Sequence, residues 1–246
     1  MITAIIPARA NSQRIPGKNM KPLDGKPLLF YTLSAALRCP LIDLVVLSTE
    51  SSNIIHQARE YVDGAFPGSK FLALKHPLAY SAPEVQTDTI FTYALWETKL
   101  QTGVIPDILV LLAPTSPLRT AKHIEEAINI YNNLDNIGCL VGVVRDKKFH
   151  WGLESGVYEI TPVQHDPAWR AGSQWISEDD WLFVENGSIY IVDAAEFGSK
   201  RNYRIPPYVP YIMPEETALE LDTLLDWSIM ESIMRVNRSE LLPILP

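Results

Sequence analysis

Residues 5–19 hold the side chains of this sequence whose types and spacing best suit chemistry with phosphate. Three cations, Arg9, Arg14 and Lys18, alternate with small and amide residues, and a Pro-Gly pair prevents the segment from continuing as a strand or winding into a helix. Guanidinium and ammonium groups neutralise phosphate charge, and the backbone N–H groups of such a turn can cradle it. The pattern favours a polyphosphate clamp. A solvated loop that happens to be basic is the alternative interpretation.

The charge of the whole chain helps to distinguish a polyphosphate clamp from a solvated basic loop. The sequence has 29 acidic residues against 21 Lys and Arg, a formal net charge of −8. Within residues 9–26, by contrast, five cations face the single anion Asp24. A local basic spot on an acidic protein indicates a small anionic ligand, because a long nucleic acid needs a broad basic face. The segment is not a Walker loop, since the sequence contains no Gly-x4-Gly-Lys-Ser/Thr.

A second chemically capable segment lies near the C-terminus, at residues 218–223. Glu220 and Asp222 are two residues apart, so an extended backbone would point both carboxylates to the same side. Mg²⁺ typically takes one or two protein carboxylates together with phosphate oxygens and water. The pair is therefore a candidate metal site beside the clamp. A purely structural role for Asp222, as the cap of the following helix, is the alternative.

Two further polar segments adjoin predicted strands. Pro-Thr-Ser-Pro-Leu-Arg at 114–119 follows a buried strand, and its prolines fix a turn that would present Ser116 and Arg119 at the same sheet edge as the basic segment. Asn-Gly-Ser at 186–188 stands just before a strand that contains Tyr190. By itself this tripeptide is typical of an ordinary turn.

The elements that must hold these segments alternate along the chain. Apolar strands are predicted at 3–6, 43–48, 70–75, 107–113, 138–144, 188–192 and 208–213. Helices are predicted at 27–38, 51–62, 87–100, 120–134 and 222–235. Near-continuous apolar strands that alternate with helices predict an α/β fold with a parallel sheet covered on both faces. Ligands of such sheets bind at the carboxyl ends of the strands.

The alternation stops between residues 145 and 187, where four of the six tryptophans lie (Trp151, Trp169, Trp175 and Trp181). We expect one domain over residues 1–246 with a small lobe inserted at 145–187. Aromatic rings at the surface of this lobe would favour a partner interface, whereas rings that fill its own core are the alternative. No apolar run approaches the roughly 20 residues of a membrane span, so we expect a cytoplasmic protein without a membrane partner.

Five motifs in this order resemble the acylneuraminate cytidylyltransferase family, the CMP-sialic acid synthetases, over nearly the whole chain. They are Ile-Pro-Ala-Arg-x-x-Ser-x-x-Ile-Pro-x-Lys-Asn at 6–19, Pro-Thr-Ser-Pro-Leu-Arg at 114–119, Arg-x-x-Ser-Gln at 170–174, Asn-Gly-Ser-Ile-Tyr at 186–190, and the acidic pair at 220 and 222. The resemblance implies a Rossmann-like, three-layer nucleotidyltransferase fold with a mostly parallel sheet. It also implies an enzyme that uses Mg²⁺ to transfer CMP from CTP to the anomeric hydroxyl of a nonulosonic, sialic-acid-like sugar acid of nine carbons, with release of pyrophosphate.

The resemblance further implies roles for individual residues. The expected catalytic residues are Arg9, Lys18 and Asp222. The expected nucleotide-binding residues are Arg9, Ser12, Arg14, Lys18, Asn19 and His76. The expected sugar-binding residues are Ser116, Arg119, Arg170, Gln174, Asn186 and Tyr190. Glu220 and Asp222 would hold the metal, and the lobe would form a homodimer that reaches towards the neighbour's sugar site.

Five positions depart from the family pattern. Gln13 stands where a Lys usually follows the loop serine, and Arg14 next to it offers the charge instead. Glu50, His76 and Glu220 stand where Asp, Arg and Asp are usual, and Ala113 stands where a Gln commonly contacts the sugar. Alanine lacks the side-chain amide of that Gln, which favours a different acid sugar or one that is bound differently. A site that recognises a sugar hydroxyl usually keeps the side chain that hydrogen-bonds it. Two alternatives stay open. One is a nucleotidyltransferase for another acidic acceptor, such as Kdo or a phosphonate, and the other is a degenerate, non-catalytic nucleotide-binding protein.

Overall fold

The computed structural model describes residues 1–146, 148–153, 160–163 and 182–240. Its strands are β1 (Ile2–Pro7), β2 (Pro22–Leu23), β3 (Lys26–Pro27), β4 (Leu44–Thr49), β5 (Phe71–Lys75), β6 (Ile108–Leu112), β7 (Cys139–Asp146), β8 (His150–Leu153), β9 (Ile160–Val163), β10 (Leu182–Asp193) and β11 (Tyr208–Ile212). Its α-helices are α1 (Leu28–Arg38), α2 (Ser52–Ala65), α3 (Thr87–Thr102), α4 (Ala121–Asn132), α5 (Ala194–Lys200) and α6 (Leu224–Glu240).

Seven of these strands form one sheet in the order β11-β7-β10-β6-β1-β4-β5. All neighbouring strands are parallel except β10, which runs antiparallel between β6 and β7. The register at the centre aligns Ile5 of β1 with Val46 of β4 and Leu111 of β6. The mostly parallel α/β sheet that the sequence predicted is thus confirmed.

Apolar side chains of successive strand residues point to opposite faces, and helices cover both faces. Ile6, Leu47 and Leu112 pack towards α1, α2 and α4 in one buried cluster. Ile5 and Val46 pack towards α3 and α5 in another. Helix, sheet and helix therefore form the three layers that the family resemblance implied.

A third apolar cluster lies at the carboxyl edge of the sheet rather than on either face. It packs Ile15, Leu23 and Leu28 against Leu118 and Leu221 and against α6, through Trp227, Met230 and Met234. The segments that the sequence analysis singled out are thereby tied to one another through buried apolar contacts. This cluster is what positions the candidate site.

Several local features differ from the prediction. Helix α5 and the two-residue strands β2 and β3 were not expected, and β10 starts at Leu182 rather than at 188. The tripeptide Asn186-Gly187-Ser188 is a bulge inside β10, because the β7 pairing shifts register between Glu185 and Tyr190. The expectation of an ordinary turn there was wrong. Asn-Gly supplies a positive φ equally well to a turn and to a bulge.

The expected lobe is described only in part. Strands β8 and β9 pair antiparallel, with His150 opposite Val163. Arg170, Gln174 and three of the four lobe tryptophans lie outside the described residues. Within the described ranges, no helix is both long enough and apolar enough to cross a membrane.

Candidate active site

A cavity of about 430 Å³ opens where β1 and β6 end. Its walls are the basic loop (residues 8–21), the segment at 81–90, Pro114 and Thr115 after β6, and Asp222. Of the expected nucleotide-binding residues, five line it: Arg9, Ser12, Arg14, Lys18 and Asn19. The structure therefore brings most of the predicted clamp to one cavity at the carboxyl edge of the sheet.

The basic loop is held in shape by its own apolar and amide residues. Ile15 is buried in the third apolar cluster and fixes the loop tip onto α6. Gly17 adopts φ +64°, a left-handed conformation that favours glycine, and starts the short turn Lys18–Met20. The Asn19 side-chain amide donates a hydrogen bond of 2.8 Å to the Arg9 carbonyl, so Asn19 both lines the cavity and closes the loop.

Two cations of the loop converge on one carboxylate. The Lys18 ammonium lies 3.3 Å from Oδ1 of Asp222 and donates a hydrogen bond of 2.7 Å to the Leu221 carbonyl. The Arg14 guanidinium lies 3.2 Å from Oδ2 of Asp222. Lys21 and Lys26, by contrast, lie over aromatic rings. Of the five cations near the N-terminus, three therefore serve the cavity.

Arg9, the third cation of the cavity, faces the opposite wall. Its guanidinium donates to the backbone carbonyls of Ala82 and Val85, at 3.5 and 3.3 Å. The first turn of α3 adds to this wall, since Thr87 lines the cavity. A helix N-terminus favours anions through its free N–H groups and its dipole. The predicted helix at 87–100 begins at the same residue, but its N-terminus was not among the expected phosphate-binding groups.

Leu219, the first residue of the acidic segment (residues 219–222), has extended backbone angles. Leu221 is buried in the third apolar cluster, and its N–H donates to the Thr115 carbonyl at 3.0 Å. Asp222 lines the cavity, whereas the Glu220 carboxyl lies behind it against Gly187. Burial, followed by the neighbouring charge of Asp222, raises the pKa of Glu220 above its ordinary value.

Of the two expected metal ligands only Asp222 lines the cavity, and its carboxylate fits a hard divalent cation that is shared with phosphate. In the described part of the chain, no group of three or more His, Cys, Asp or Glu side chains is placed to hold a metal. An all-protein metal cage is therefore absent from those residues. One or two carboxylates beside a basic cavity match the way in which proteins typically bind Mg²⁺ together with a polyphosphate.

The alternative role for Asp222, as the helix cap, is wrong. Helix α6 begins at Leu224, and Thr223 with Asp226 forms its capping interactions. Oδ2 of Asp226 accepts from the Thr223 N–H at 2.6 Å, and the Asp226 N–H donates to the Thr223 hydroxyl at 3.2 Å. The Thr-x-x-Asp spacing at 223–226 is a sequence signal for this arrangement. The Asp222 carboxylate is thereby left to the cavity.

Arg119 does not lie where a direct sugar contact needs it. Its side chain is 2% exposed, and it donates to the Ala113 and Ser188 carbonyls at 3.1 and 2.6 Å and to the Thr32 hydroxyl at 2.6 Å. Burial lowers the pKa of Arg119 to about 9. The structure corrects the expected role, because this guanidinium ties β6, β10 and α1 together inside the protein.

Three other expected sugar-binding residues are also buried. Ser116 lies 3.5 Å from the Asn186 carbonyl, and the Asn186 side chain accepts from the Ser188 N–H at 3.2 Å. The Tyr190 hydroxyl donates to Glu185, and burial raises its pKa. These side chains shape the β10 bulge from within, so the expectation of direct sugar contact is corrected for them as well.

His76 is buried behind the cavity wall. Its ring nitrogens lie 2.9 Å from the hydroxyls of Ser48 and Ser81, and it is 1% exposed. Burial lowers the pKa of His76, against the opposing charge of Glu50. The expected direct contact with the nucleotide is therefore corrected, because no ring nitrogen faces the cavity. Ser81, which does line it, was missed because a lone serine carries no motif.

A second cavity, also of about 430 Å³, is lined by Val144, Arg145, Asp146, Lys148, Val184, Glu215 and Ala218. Glu215 and Ala218 belong to a short 3-10 turn, Glu215–Ala218, that runs directly into the acidic segment. The chain from 215 to 222 therefore contributes to both cavities. Its lining carries two cations, Arg145 and Lys148, and two carboxylates, Asp146 and Glu215, so the cavity suits a polar molecule.

Residues 3–148 match the protein family described as cytidylyltransferase, and this range is more than half of the chain. The chain belongs to the cytidylyltransferase family. It is 29% identical to the CMP-N,N'-diacetyllegionaminic acid synthase of Legionella pneumophila, over 98% of this chain and 99% of that relative. It is 28% identical to the N-acylneuraminate cytidylyltransferase of Escherichia coli O18:K1:H7, where 98% of this chain spans 54% of the relative's length.

The fold of the cytidylyltransferase is shared with solved structures of low sequence identity. The 4-diphosphocytidyl-2C-methyl-D-erythritol synthase of Anaerococcus prevotii superposes with a TM-score of 0.66 at 10% identity, over 95% of this chain and 96% of the other. At that identity the likeness shows the fold alone. It confirms the Rossmann-like nucleotidyltransferase fold that the motifs implied.

Proposed function

We propose that this cytidylyltransferase transfers CMP from CTP to the anomeric hydroxyl of a nonulosonic, sialic-acid-like sugar acid and releases pyrophosphate. The observation that carries the proposal is the cavity that Arg9, Arg14, Lys18 and Asp222 line together. Two relatives that align with nearly the whole chain are named for a CMP-legionaminic acid synthase and an acylneuraminate cytidylyltransferase. Their names support a sugar acid as the acceptor.

Binding of the triphosphate would exchange ionic partners at Asp222. Arg14 and Lys18 now neutralise this carboxylate, and a triphosphate that enters the cavity offers them more charge. Asp222, with Glu220, would then hold Mg²⁺, which supplies further charge neutralisation at the phosphates when bound. The cations and the acid pair thus act as one unit.

Transfer of CMP requires from the protein mainly that it position the reactants and neutralise phosphate charge. The anomeric oxygen forms a bond to the α-phosphorus and loses its proton, while the bond from the α-phosphorus to the oxygen that bridges to the β-phosphate breaks. Pyrophosphate leaves with that electron pair. Lys18 and Arg14 would stabilise the charge that develops on the leaving phosphates, because both point into the cavity from the basic loop.

The second cavity is our candidate for the acceptor site. It brings two cations, Arg145 and Lys148, together with two carboxylates, Asp146 and Glu215, beside the turn that runs into the acidic segment. A carboxylate of a sugar acid is a natural partner for such cations. Ala113 cannot hydrogen-bond a sugar through its side chain, and its carbonyl already accepts from Arg119. Under the proposal the acceptor contacts come from other residues, for which the lining of this cavity is the candidate.

A homodimer formed by the lobe is part of the proposal. Leu153 in β8 is 71% exposed, and Phe183 and Val184 at the start of β10 are 43% and 44% exposed. Apolar side chains this exposed, on the described part of the lobe, favour burial against a partner. Arg170 and Gln174, which the resemblance assigns to the sugar site, follow in the same lobe.

Pyrophosphate release from each of the four NTPs with Mg²⁺, against a panel of 2-keto sugar acids that includes Kdo, tests the proposed function. We expect release with CTP and one nonulosonate. Release only with Kdo or with a phosphonate would move the enzyme to the alternative acceptor class. Absence of nucleotide binding in a direct titration would favour the degenerate, non-catalytic protein instead.

A further inference from the structure

Glu50 and His76 form a buried pair behind the nucleotide cavity that the reaction proposed above does not use. Their side chains are 6% and 0% exposed, and Oε2 of Glu50 lies 3.6 Å from Nε2 of His76. A buried carboxylate beside a buried imidazole is costly unless both are held by hydrogen bonds. The partners of the two side chains indicate what the pair does.

Each member of the pair is connected to a different wall of the cavity. Oε1 of Glu50 accepts a hydrogen bond of 2.8 Å from the backbone N–H of Ala10, in the basic loop. Nε2 of His76 lies 2.9 Å from the hydroxyl of Ser81, which lines the cavity from the opposite side. The pair is therefore a bridge of two side chains between the walls.

The bridge is fixed to the end of β4. Nδ1 of His76 lies 2.9 Å from the buried hydroxyl of Ser48, and the His76 N–H donates to the Thr49 carbonyl at 3.1 Å. Ser48 and Thr49 are the last residues of that strand. The bridge is therefore anchored to the end of a buried strand of the sheet.

A second connection between the walls runs through Arg9, and it is weaker. The guanidinium of Arg9 donates to Ala82 and Val85 at 3.5 and 3.3 Å, longer than an ordinary hydrogen bond of this kind. Arg9 also lines the cavity, where a triphosphate would compete for it. When a ligand takes over the Arg9 guanidinium, the contact between His76 and Ser81 still holds this side of the cavity. We call residues 78–86, which precede α3 on that side, the wall at 78–86.

We propose that Glu50 and His76 are positioning residues that set the distance between the basic loop and the wall at 78–86, and thereby the affinity for the nucleotide. The inference rests on the proposed function only for the identity of that nucleotide, CTP.

Two substitutions of His76 separate a positioning role from a merely structural one. His76→Asn places an amide near Nδ1, so it keeps the contact with Ser48 and loses that with Ser81 and Glu50. His76→Gln reaches to the position of Nε2 and can keep the contact with Ser81. In the free protein we expect hydrogen exchange of the amides at 78–86 to rise at least about fivefold in His76→Asn and to stay within about twofold of wild type in His76→Gln.

Titration with CTP and Mg²⁺ gives the functional measurement. We expect the Kd to rise about tenfold in His76→Asn and in Glu50→Gln, with kcat at saturation changed less than KM, and rescue towards wild type in His76→Gln. Tyr211→Phe is the matched control. Tyr211 lies on β11, far from both walls along the sheet, and its hydroxyl donates a hydrogen bond of 2.6 Å to Glu126 on α4. The substitution removes that bond and should leave the Kd unchanged.

The two measurements keep this inference distinct from the proposed function. Equal exchange at 78–86 in His76→Asn, His76→Gln and wild type would overturn the positioning role, whatever nucleotide binds. An increase in Kd for Tyr211→Phe equal to that for His76→Asn would also overturn it, because any lost hydrogen bond would then suffice. If the wild-type protein did not bind CTP, the proposed function would be contradicted. The hydrogen-exchange rates at 78–86 would still decide the role of Glu50 and His76.

Discussion

Lys18 is the residue on which the clamp depends most. Its ammonium is 14% exposed and lies between the acidic segment and the cavity, where it contacts Asp222. Electrostatic stabilisation by one such group is typically worth about 10²–10³ in kcat. We expect Lys18→Ala to lower turnover by at least that factor, because no other described ammonium lines the cavity.

The measurement is pyrophosphate release at saturating CTP and sugar. Lys122→Ala is the matched control, since Lys122 is exposed on α4 and pairs only with Glu126 among the described residues. It should leave the rate unchanged. If Lys18→Ala turned over as fast as Lys122→Ala, Lys18 would have no part in the mechanism.

Glu220 gives a prediction with opposite signs for stability and activity. The pKa of the Glu220 carboxyl is raised in the folded protein above its ordinary value of 4.5, so the folded protein favours the protonated form. The stability that this protonated carboxyl contributes is fully present below pH 4.5 and is lost as pH rises through the folded-state pKa. At pH 7 the ionised carboxyl therefore weakens the free protein. We expect Glu220→Gln to raise the Tm in the absence of Mg²⁺ and CTP and to lower metal-dependent turnover.

Thermal melts at pH 4 and pH 7 test this sign. The gain in Tm should be present at pH 7 and shrink towards pH 4, where the wild-type carboxyl is protonated. Glu216→Gln, at an exposed position of the neighbouring turn, should change neither the Tm nor the rate. A Glu220→Gln protein that is less stable than wild type at pH 7 would contradict the burial argument.

The bulge of β10 shows how an element positions the site. Gly187 has φ +60°, and a Cβ there would lie 2.0 Å from Oε1 of Glu220. We expect Gly187→Ala to lower the free energy of unfolding by at least about 1 kcal/mol, because the left-handed backbone conformation disfavours alanine. It should also weaken metal-dependent activity, because the Glu220 carboxyl must move.

Denaturant unfolding measures the stability change. The control is Gly64→Ala in α2, where a Cβ meets nothing within 4 Å and alanine is the better helix former. That variant should be about as stable as wild type or slightly more stable. Equal stability of the two alanine variants would show that the bulge does not require glycine.

At this scale the sequence predicted the elements better than their local geometry. Apolar periodicity located β1, β4, β5, β6 and β7 within a few residues, because burial on both faces leaves a continuous apolar run. It missed α5, which is only seven residues long, and the antiparallel direction of β10, which depends on pairing with β6 and β7. Strand direction is a long-range property that no local pattern carries.

The residues of the candidate site were likewise predicted only in part. Residues of the basic loop and Asp222 were predicted because charged and small side chains at a strand end have a direct chemical meaning. His76, Arg119 and Asn186 were assigned to ligands by motif, yet the structure buries them in hydrogen bonds to their own chain. A polar residue in a motif can serve the ligand or the scaffold, and only its burial distinguishes the two roles.

The whole molecule is expected to act as a homodimer whose lobe completes a neighbour's site. Under the proposed function, Arg170→Ala should raise the sugar KM, because a guanidinium suits the sugar carboxylate. Lys18→Ala should lose the nucleotide clamp instead. In a mixed dimer of the two variants, one active site would combine an intact clamp with an intact lobe.

Complementation measures this arrangement. The two variants are unfolded and refolded together, and pyrophosphate release is compared with the sum of the separately refolded samples. We expect activity well above that sum. Activity equal to the sum would show that each chain carries a self-contained site.

The central claim is that the basic loop and the acidic segment form one site for CTP and Mg²⁺. Calorimetric titration of CTP with and without Mg²⁺, for wild type and for Asp222→Asn, tests it most directly. We predict that Mg²⁺ tightens CTP binding to wild type by about tenfold or more, and that Asp222→Asn loses this gain. A gain from Mg²⁺ in Asp222→Asn as large as in wild type would contradict the claim.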